Sequence, residues 1–215
     1  VNAIRTGPQL YFVRHGETAW SRSGQHTGNT DIPLTAHGEE EAGALAPWLR
    51  QIPFTAVLTS PRQRARTTCA LAGLGGRAEI EPGLAEWDYG DYEGLRSDEI
   101  REHRPGWMVF RDGCPNGETP KAIAARADVL IMRLTAMTGN VALFSHAHFG
   151  AVLAARWIGL PVNDAQHLLL GPASLSILGN NPSHPEVRVI SLWNARPWLE
   201  RGEPIKPGSD VAIFM

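Results

Sequence analysis

Gln9-Leu10-Tyr11-Phe12-Val13-Arg14-His15-Gly16 is the stretch from which the fold is read. Gln9 to Val13 is a short, β-rich apolar run that stops abruptly at Arg14-His15-Gly16, as a buried strand running into a loop does. The same punctuation recurs twice. Phe54 to Thr59 ends at Ser60-Pro61-Arg62, and Val141 to Phe144 ends at Ser145-His146. Helical patterns separate these runs, so strands alternate with helices and the expected architecture is an α/β sandwich with a mostly parallel central sheet. Ligands of such sheets bind beyond the carboxyl ends of the strands, which is where all three polar strand ends would meet.

Working outward, Thr35 can cap a helix over about Gly38 to Gln51, with Pro47 inside the pattern to bend or break it. Ser60-Pro61 reads as an N-cap with proline at the first helical position, opening a helix to about Leu74. A short strand near Ala78 to Ile80 leads into Leu84 to Gly94, rich in acidic and aromatic residues. The clearest helix starts at Thr119-Pro120, where Ile123, Ala127, Leu130, Ile131, Leu134 and Met137 repeat at helical spacing. Another follows from about Phe149 to Ile158, then two strands, Ser174 to Leu178 and Val187 to Leu192, joined by a proline-containing turn. The expected organisation is one domain over 1–215, with a core of about 9–194 and an extended tail of about 195–215.

Bulk properties narrow the function. The chain has 215 residues, 43% hydrophobic and 20% charged, with a formal net charge of −2, so nothing points to nucleic acid or a membrane as partner. A bound anion must therefore be held by a few placed cations. Two isolated cysteines, Cys69 and Cys114, suit neither a disulfide scaffold nor a four-ligand zinc site, and the expected compartment is the reducing cytoplasm. No secretory signal and no apolar run of spanning length is visible.

The strand ends carry the parts of a phosphoryl-transfer site. A neutral imidazole can attack phosphorus, cations must neutralise the non-bridging oxygens, and an acid must protonate the leaving oxygen. Arg14-His15-Gly16 places a nucleophile beside a guanidinium, and the Gly16 carbonyl can fix the imidazole tautomer; the plainer reading is a strand-end ion pair. Arg62 falls in the first turn of a helix, where guanidinium, N–H groups and dipole all favour an anion, whereas Arg64 and Arg66 point elsewhere and read as a solvated face. His146, alone, would be a structural histidine; its level with His15 argues for function. His148 reads as a residue one step behind the substrate. Glu86 is the best candidate acid, since aromatic neighbours can raise its pKa, but Asp88, Asp91 and Glu93 remain rivals. Arg22, His26, Arg101 and Arg104 are candidates for a second anionic group, or simply surface charges.

In order along the chain, Arg14-His15-Gly16-Glu17-Thr18, Ser60-Pro61-Arg62, Glu86 and Ser145-His146 resemble the histidine phosphatase superfamily, the phosphoglycerate mutase-like proteins. The resemblance covers about Leu10 to Leu160. It implies a three-layer α/β sandwich with a mostly parallel six-stranded sheet flanked by helices. It implies His15 as the phosphorylated residue, Arg14, Arg62 and His146 as the rest of the phosphate pocket, and Glu86 as proton donor. Ser21 and Thr27, with Gly28 beside it, match loop positions on the phosphate or substrate side, and no metal or cofactor is implied. Thr27 to Asp31, Glu86 to Gly94 and Asp112 to Thr119 look like the branch of small acid phosphatases and sedoheptulose-bisphosphatase-type enzymes. Ala147 stands where the family commonly has glycine, putting a Cβ beside the phosphate.

The expected activity is thus metal-independent hydrolysis of a small phosphorylated metabolite, a sugar phosphate or bisphosphate, through a phosphohistidine. The competing readings are a cofactor-dependent phosphoglycerate mutase and a silent phospho-ligand binding module. The mutase reading lacks the usual longer insertion with paired arginines after Glu86, since only a short helix near Ser97 to Glu102 follows. Either a monomer or a homodimer is expected, Trp193 and Trp198 suiting a dimer contact or, more simply, packing on their own domain.

Overall fold

The computed structural model describes residues 7–196. Strand β1 (Gln9–Arg14) lies inside a six-stranded sheet that also contains β2 (Phe54–Thr59), β3 (Ala78–Ile80), β4 (Asn140–Ser145), β5 (Leu175–Asn180) and β6 (Arg188–Ala195). The spatial order is β3-β2-β4-β1-β5-β6. The first four run parallel, while β5 and β6 are antiparallel additions at the β1 side. Such a strand must bury both faces, which is why its sequence is a run and not an alternation. Leu10 and Phe12 of β1, with Val141 and Leu143 of β4, enter one core; Val13, Ala142 and Phe144 enter the other.

The helices are α1 (Ala19–Ser23), α2 (Ala36–Ala44), α3 (Ala46–Leu49), α4 (Gln63–Leu71), α5 (Ser97–His103), α6 (Val109–Asp112), α7 (Pro120–Thr135) and α8 (Ala147–Trp157). Core residues of α7 and α8, including Ile123, Ala127, Leu130, Leu134, Phe149 and Leu153, cover one sheet face. Leu45, Leu49 and Cys69, from the α2–α3 junction, α3 and α4, cover the other. The result is the three-layer sandwich. Thr119 caps α7 by accepting from the Ala122 N–H, and the apolar stripe behind it is buried as its spacing requires. Met137, beyond the helix end, packs partly buried against the same core.

Thr35 caps α2 through the Gly38 N–H, and the helix breaks at Leu45, two residues before Pro47. Proline lacks an N–H and clashes with the carbonyl four residues back, so the chain restarts as α3 with proline in its first turn.

The start of α4 corrects the expected boundary. Ser60 is not its N-cap; Arg62 is, and the helix ends at Leu71. Asp31, from a distant loop, accepts the Gln63 N–H at 2.8 Å and takes over the capping role. Ser60 Oγ is instead engaged with His146. At the other end, Ala195 closes β6, so the expected tail begins no earlier than Arg196, and its remainder, Trp198 included, lies outside the described residues. Trp193 packs partly buried against the first core. Among the described residues no helix is long and apolar enough to cross a membrane.

Candidate active site

Three strand ends meet because the register forces them to. Arg14 is level with Ser145 and Thr59 with Phe144, so the residues that follow, His15, Ser60 and His146, leave the sheet side by side. The His15 backbone is pinned on both sides: its N–H donates to the Ser145 carbonyl at 3.0 Å and its own carbonyl accepts from Ala173 at 3.0 Å. The side chain is oriented by its neighbour. Nδ1–H donates to the Gly16 carbonyl at 2.7 Å, which leaves the lone pair on Nε2. Burial, then the charges of Arg64 and Arg14, hold the ring well below the ordinary imidazole pKa, so it is neutral. Gly16 is required by packing, since a Cβ there would stand 2.3 Å from the Gly38 carbonyl oxygen.

His146 stands behind His15, with ring centroids 5.2 Å apart. It is fully buried, and its tautomer is read from its partners. Arg64 Nε donates to Nδ1 at 3.2 Å, so Nε2–H is the donor to Ser60 Oγ at 2.7 Å. Burial and Arg64 depress its pKa well below the usual value.

Arg64 is the principal correction to the sequence reading. The expected solvated side chain is 0% exposed. Its guanidinium donates to the carbonyls of Thr30 (2.9 Å), Thr27 (2.9 Å) and Gly28 (3.1 Å) as well as to His146. One fork therefore fixes the loop that follows α1 and the second histidine together. The signal for it was present. Arg64, Ala65, Thr68 and Cys69 form the buried stripe of α4, and Ala65 and Cys69 mark that face in the sequence. Arg66, by contrast, is exposed as expected.

Arg14 and Arg62 flank this pair. The Arg14 guanidinium donates to the Leu170 carbonyl, and that of Arg62 to Asn29 Oδ1. Arg62 sits at the N-cap of α4 and not in its first turn, and the Gln63 N–H of that terminus is taken by Asp31.

Glu86 is separated from its rivals by environment. Its carboxyl is 8% exposed and accepts the N–H groups of Trp87 (2.8 Å), Phe149 (2.7 Å) and His148 (3.1 Å). Burial raises its pKa above the carboxylic value, against the three N–H donors and Arg64, which pull it down. The rivals are occupied elsewhere: Glu93 accepts from Gly28 and Thr30, Asp88 from Gly90, and Asp91 from Asn116. A brace that no motif announced holds the Glu86 segment in place. Arg126 donates to Glu118 (2.7 and 2.8 Å) and to the Ala85 carbonyl (2.7 Å), while Glu118 accepts the Asp88 N–H.

His15, Arg14 and Glu86 open onto a cavity of about 310 Å³. Ser21, His26, Thr27 and Ala147 also line it, as do Tyr89, Phe110, His148 and the Leu168–Leu170 segment. Arg62, His146 and Gly28 do not; Gly28 serves through its carbonyl to Arg64 and its N–H to Glu93. Arg22 is outside the lining, 68% exposed and 3.9 Å from Glu17. Arg101 and Arg104 are likewise outside it; they engage the Trp107 carbonyl and Asp112. His26 is buried and stacked on Tyr89, and burial lowers its pKa to about 3, so it is not the cation that was expected. Among the described residues no three His, Cys, Asp or Glu side chains stand close enough together to hold a metal ion.

Comparison with known proteins agrees with this arrangement. Residues 10–193 match the histidine phosphatase superfamily (branch 1). An acid phosphatase of Mycobacterium tuberculosis is 39% identical over 86% of this chain and 92% of its own length. Sedoheptulose 1,7-bisphosphatase of Saccharomyces cerevisiae is 37% identical over 72% of this chain and 69% of its own. The solved structure of an M. tuberculosis open reading frame product superposes with a TM-score of 0.80 at 36% identity, covering 87% of this chain and 97% of that one.

Proposed function

We propose a mechanism from a plain premise: the chain belongs to the histidine phosphatase superfamily and is a phosphatase. In our reading, His15 Nε2 attacks the phosphorus of a bound monoester, the P–O bond to the leaving group breaks, and the leaving oxygen takes the proton of Glu86. Water then attacks the phosphohistidine and gives a proton to the Glu86 carboxylate as the P–N bond breaks, which returns the lone pair to His15 Nε2 and releases inorganic phosphate. Arg14 stabilises the charge on the transferring group, and Arg62 and His146 join it by exchanging Asn29 and Ser60 for phosphate oxygens, with Arg64 holding His146 in position. No step calls for a metal ion.

One observation carries this reading: the Nε2 lone pair of a tautomer-fixed, neutral His15 and a buried Glu86 that holds its proton more tightly than an ordinary carboxyl face the same cavity. A nucleophile and an acid with oppositely displaced pKa values are the pair that two-step phosphoryl transfer needs. A cavity of this size, at the lower end of the roughly 300–1,000 Å³ usual for ligand sites, suits a small metabolite. The name of one relative, sedoheptulose 1,7-bisphosphatase, supports a phosphorylated sugar as its class. The two cysteines are both buried and unpaired, which supports a cytoplasmic setting.

Phosphate release from a panel of sugar phosphates, phosphoglycerates and 4-nitrophenyl phosphate, with EDTA present, tests the proposal. Steady release is the expected result. Interconversion of phosphoglycerates without release would establish a mutase, and strict dependence on a divalent ion would overturn the mechanism.

A further inference from the structure

The cavity has two ends of different chemistry. Its cationic end is where Arg14 stands beside His15, with the charges of Arg62 and Arg64 felt at His146 behind. The remainder is an aromatic wall. His26 stacks on Tyr89 with centroids 4.7 Å apart and meets the edge of Trp107 at 5.5 Å. His148 lies 5.8 Å from the His26 ring and 5.1 Å from Phe110. Leu168, Leu169 and Leu170 complete the lining.

This wall carries no charge. Burial holds His26 at about 3 and His148 at about 4, so both imidazoles are neutral at physiological pH. Among the described residues lining the cavity, Arg14 is the only arginine or lysine, and it belongs to the phosphate end. The wall does offer hydrogen bonds. Tyr89, whose proton is retained by burial, donates to His148 Nδ1 at 2.7 Å, which leaves the His148 Nε2–H as a donor. Ser97 Oγ bonds His26 Nε2 at 3.2 Å, and Ser21 and Gln25 add polar groups to the lining.

We propose that the leaving-group end of this site is a neutral aromatic compartment that selects monophosphate esters of uncharged, hydroxylated leaving groups over bisphosphates and phosphorylated carboxylic acids. The inference rests on the phosphatase reading above and narrows its substrate class. A sugar or polyol stacks its C–H faces on the rings and bonds its hydroxyls to His148, Ser97 and Gln25. A second phosphate or a carboxylate would leave water for a wall with no cation in its own lining. Arg14 belongs to the phosphate end, and Arg101, whose charge is felt at His26, stands outside the lining and is engaged by the Trp107 carbonyl, so a charge left unpaired there is costly.

The test compares matched pairs on the wild-type enzyme. 3-Phospho-D-glycerate and the glycerol phosphate of matching configuration differ only in a carboxylate against a hydroxymethyl group. Fructose 1,6-bisphosphate and fructose 6-phosphate differ in the second phosphate. The neutral member of each pair is expected to have the higher kcat/KM, by at least about tenfold. His26→Arg is expected to narrow the gap by improving the charged member, and the wild-type comparison decides even where that variant does not fold. Equal values, or a preference for the charged members, in an enzyme that hydrolyses 4-nitrophenyl phosphate would overturn the substrate class and leave the phosphatase intact. No hydrolysis of any ester, the nitrophenyl one included, would overturn both.

Discussion

Replacing Arg64 by lysine keeps the charge and removes the fork, and the consequences can be worked from its four contacts. Arg64 donates to His146 Nδ1 and to the carbonyls of Thr27, Gly28 and Thr30. A single ammonium reaches one or two of these acceptors, so two or three charge-assisted bonds are lost, each worth about 1.5–3 kcal/mol. Thr27 and Thr30 are only half-buried, so water recovers part of the loss, whereas Gly28 and His146 stay dry. A net cost of about 3 kcal/mol follows, which lowers Tm by about 6–12 °C in a domain of this size. Catalysis suffers separately. An ammonium that settles among the three loop carbonyls leaves Nδ1 without a donor, so His146 no longer holds its tautomer and kcat should fall by about tenfold or more. Thermal unfolding and steady-state hydrolysis of 4-nitrophenyl phosphate read the two effects. A Tm change under about 2 °C would refute the anchoring role. A large Tm loss with unchanged kcat would refute the positioning of His146.

His15→Ala should abolish turnover and the acid-labile phosphate label trapped during turnover, while thermal unfolding shows the fold retained; residual label on another residue would displace His15. The pH profile of kcat/KM should be bell-shaped, with its acid limb below the ordinary imidazole range. Activity rises as pH climbs through the depressed His15 pKa, and falls as pH passes the raised pKa of Glu86, whose protonated form is needed. Glu86→Gln should remove the alkaline limb and slow sugar phosphates far more than 4-nitrophenyl phosphate; equal slowing would point to another acid. His26 should make the fold acid-sensitive. Its folded pKa, about 3, lies below the unfolded value of 6.5, so its stabilising contribution is complete above pH 6.5 and is lost as pH falls towards 3. By pH 5 the loss is about 2 kcal/mol, and His26→Phe should be that much less acid-sensitive in denaturant titrations at pH 5 and 7.5.

The fold was legible wherever local chemistry decides it. Apolar runs that stop at polar residues located β1, β2 and β4 to within a residue or two, because a strand buried on both faces leaves no other pattern. Thr35 and Thr119 located helix starts because each cap closes on a residue three positions on. What escaped depends on partners far along the chain. Asp31 caps α4 from 32 residues away, so Ser60-Pro61 was a local signal overruled by a tertiary one. Arg64 read as solvated because arginine usually is, and its burial depends on carbonyls of a loop whose path no motif specifies. His26 was counted a cation because its neutrality comes from its burial in the folded cavity, beside His148 and Arg101. Arg14-His15, Ser60-Pro61-Arg62 and Ser145-His146 lie at strand and helix termini, where an apolar run breaks off visibly; Glu86 and the wall of the cavity, drawn from Tyr89, Phe110 and Leu168–Leu170, have no such punctuation.

One physical cause produces both halves of the catalytic pair. Removing a group from water disfavours its charged form, so the same burial lowers an imidazole pKa and raises that of a carboxyl. His15 and Glu86 thus become free base and proton donor without needing each other. The sheet supplies that burial cheaply for His15, since β1 and β4 are already central strands and the loops need only cover their ends. Glu86 requires more: three N–H groups draw its pKa down, and the carboxyl remains raised only while desolvation outweighs them. Trp87, Phe149 and the Arg126–Glu118 brace maintain that desolvation by holding the segment against α8. The acid is therefore the more fragile partner. Damage to the brace admits water to Glu86 and should cost leaving-group protonation before it costs nucleophilic attack.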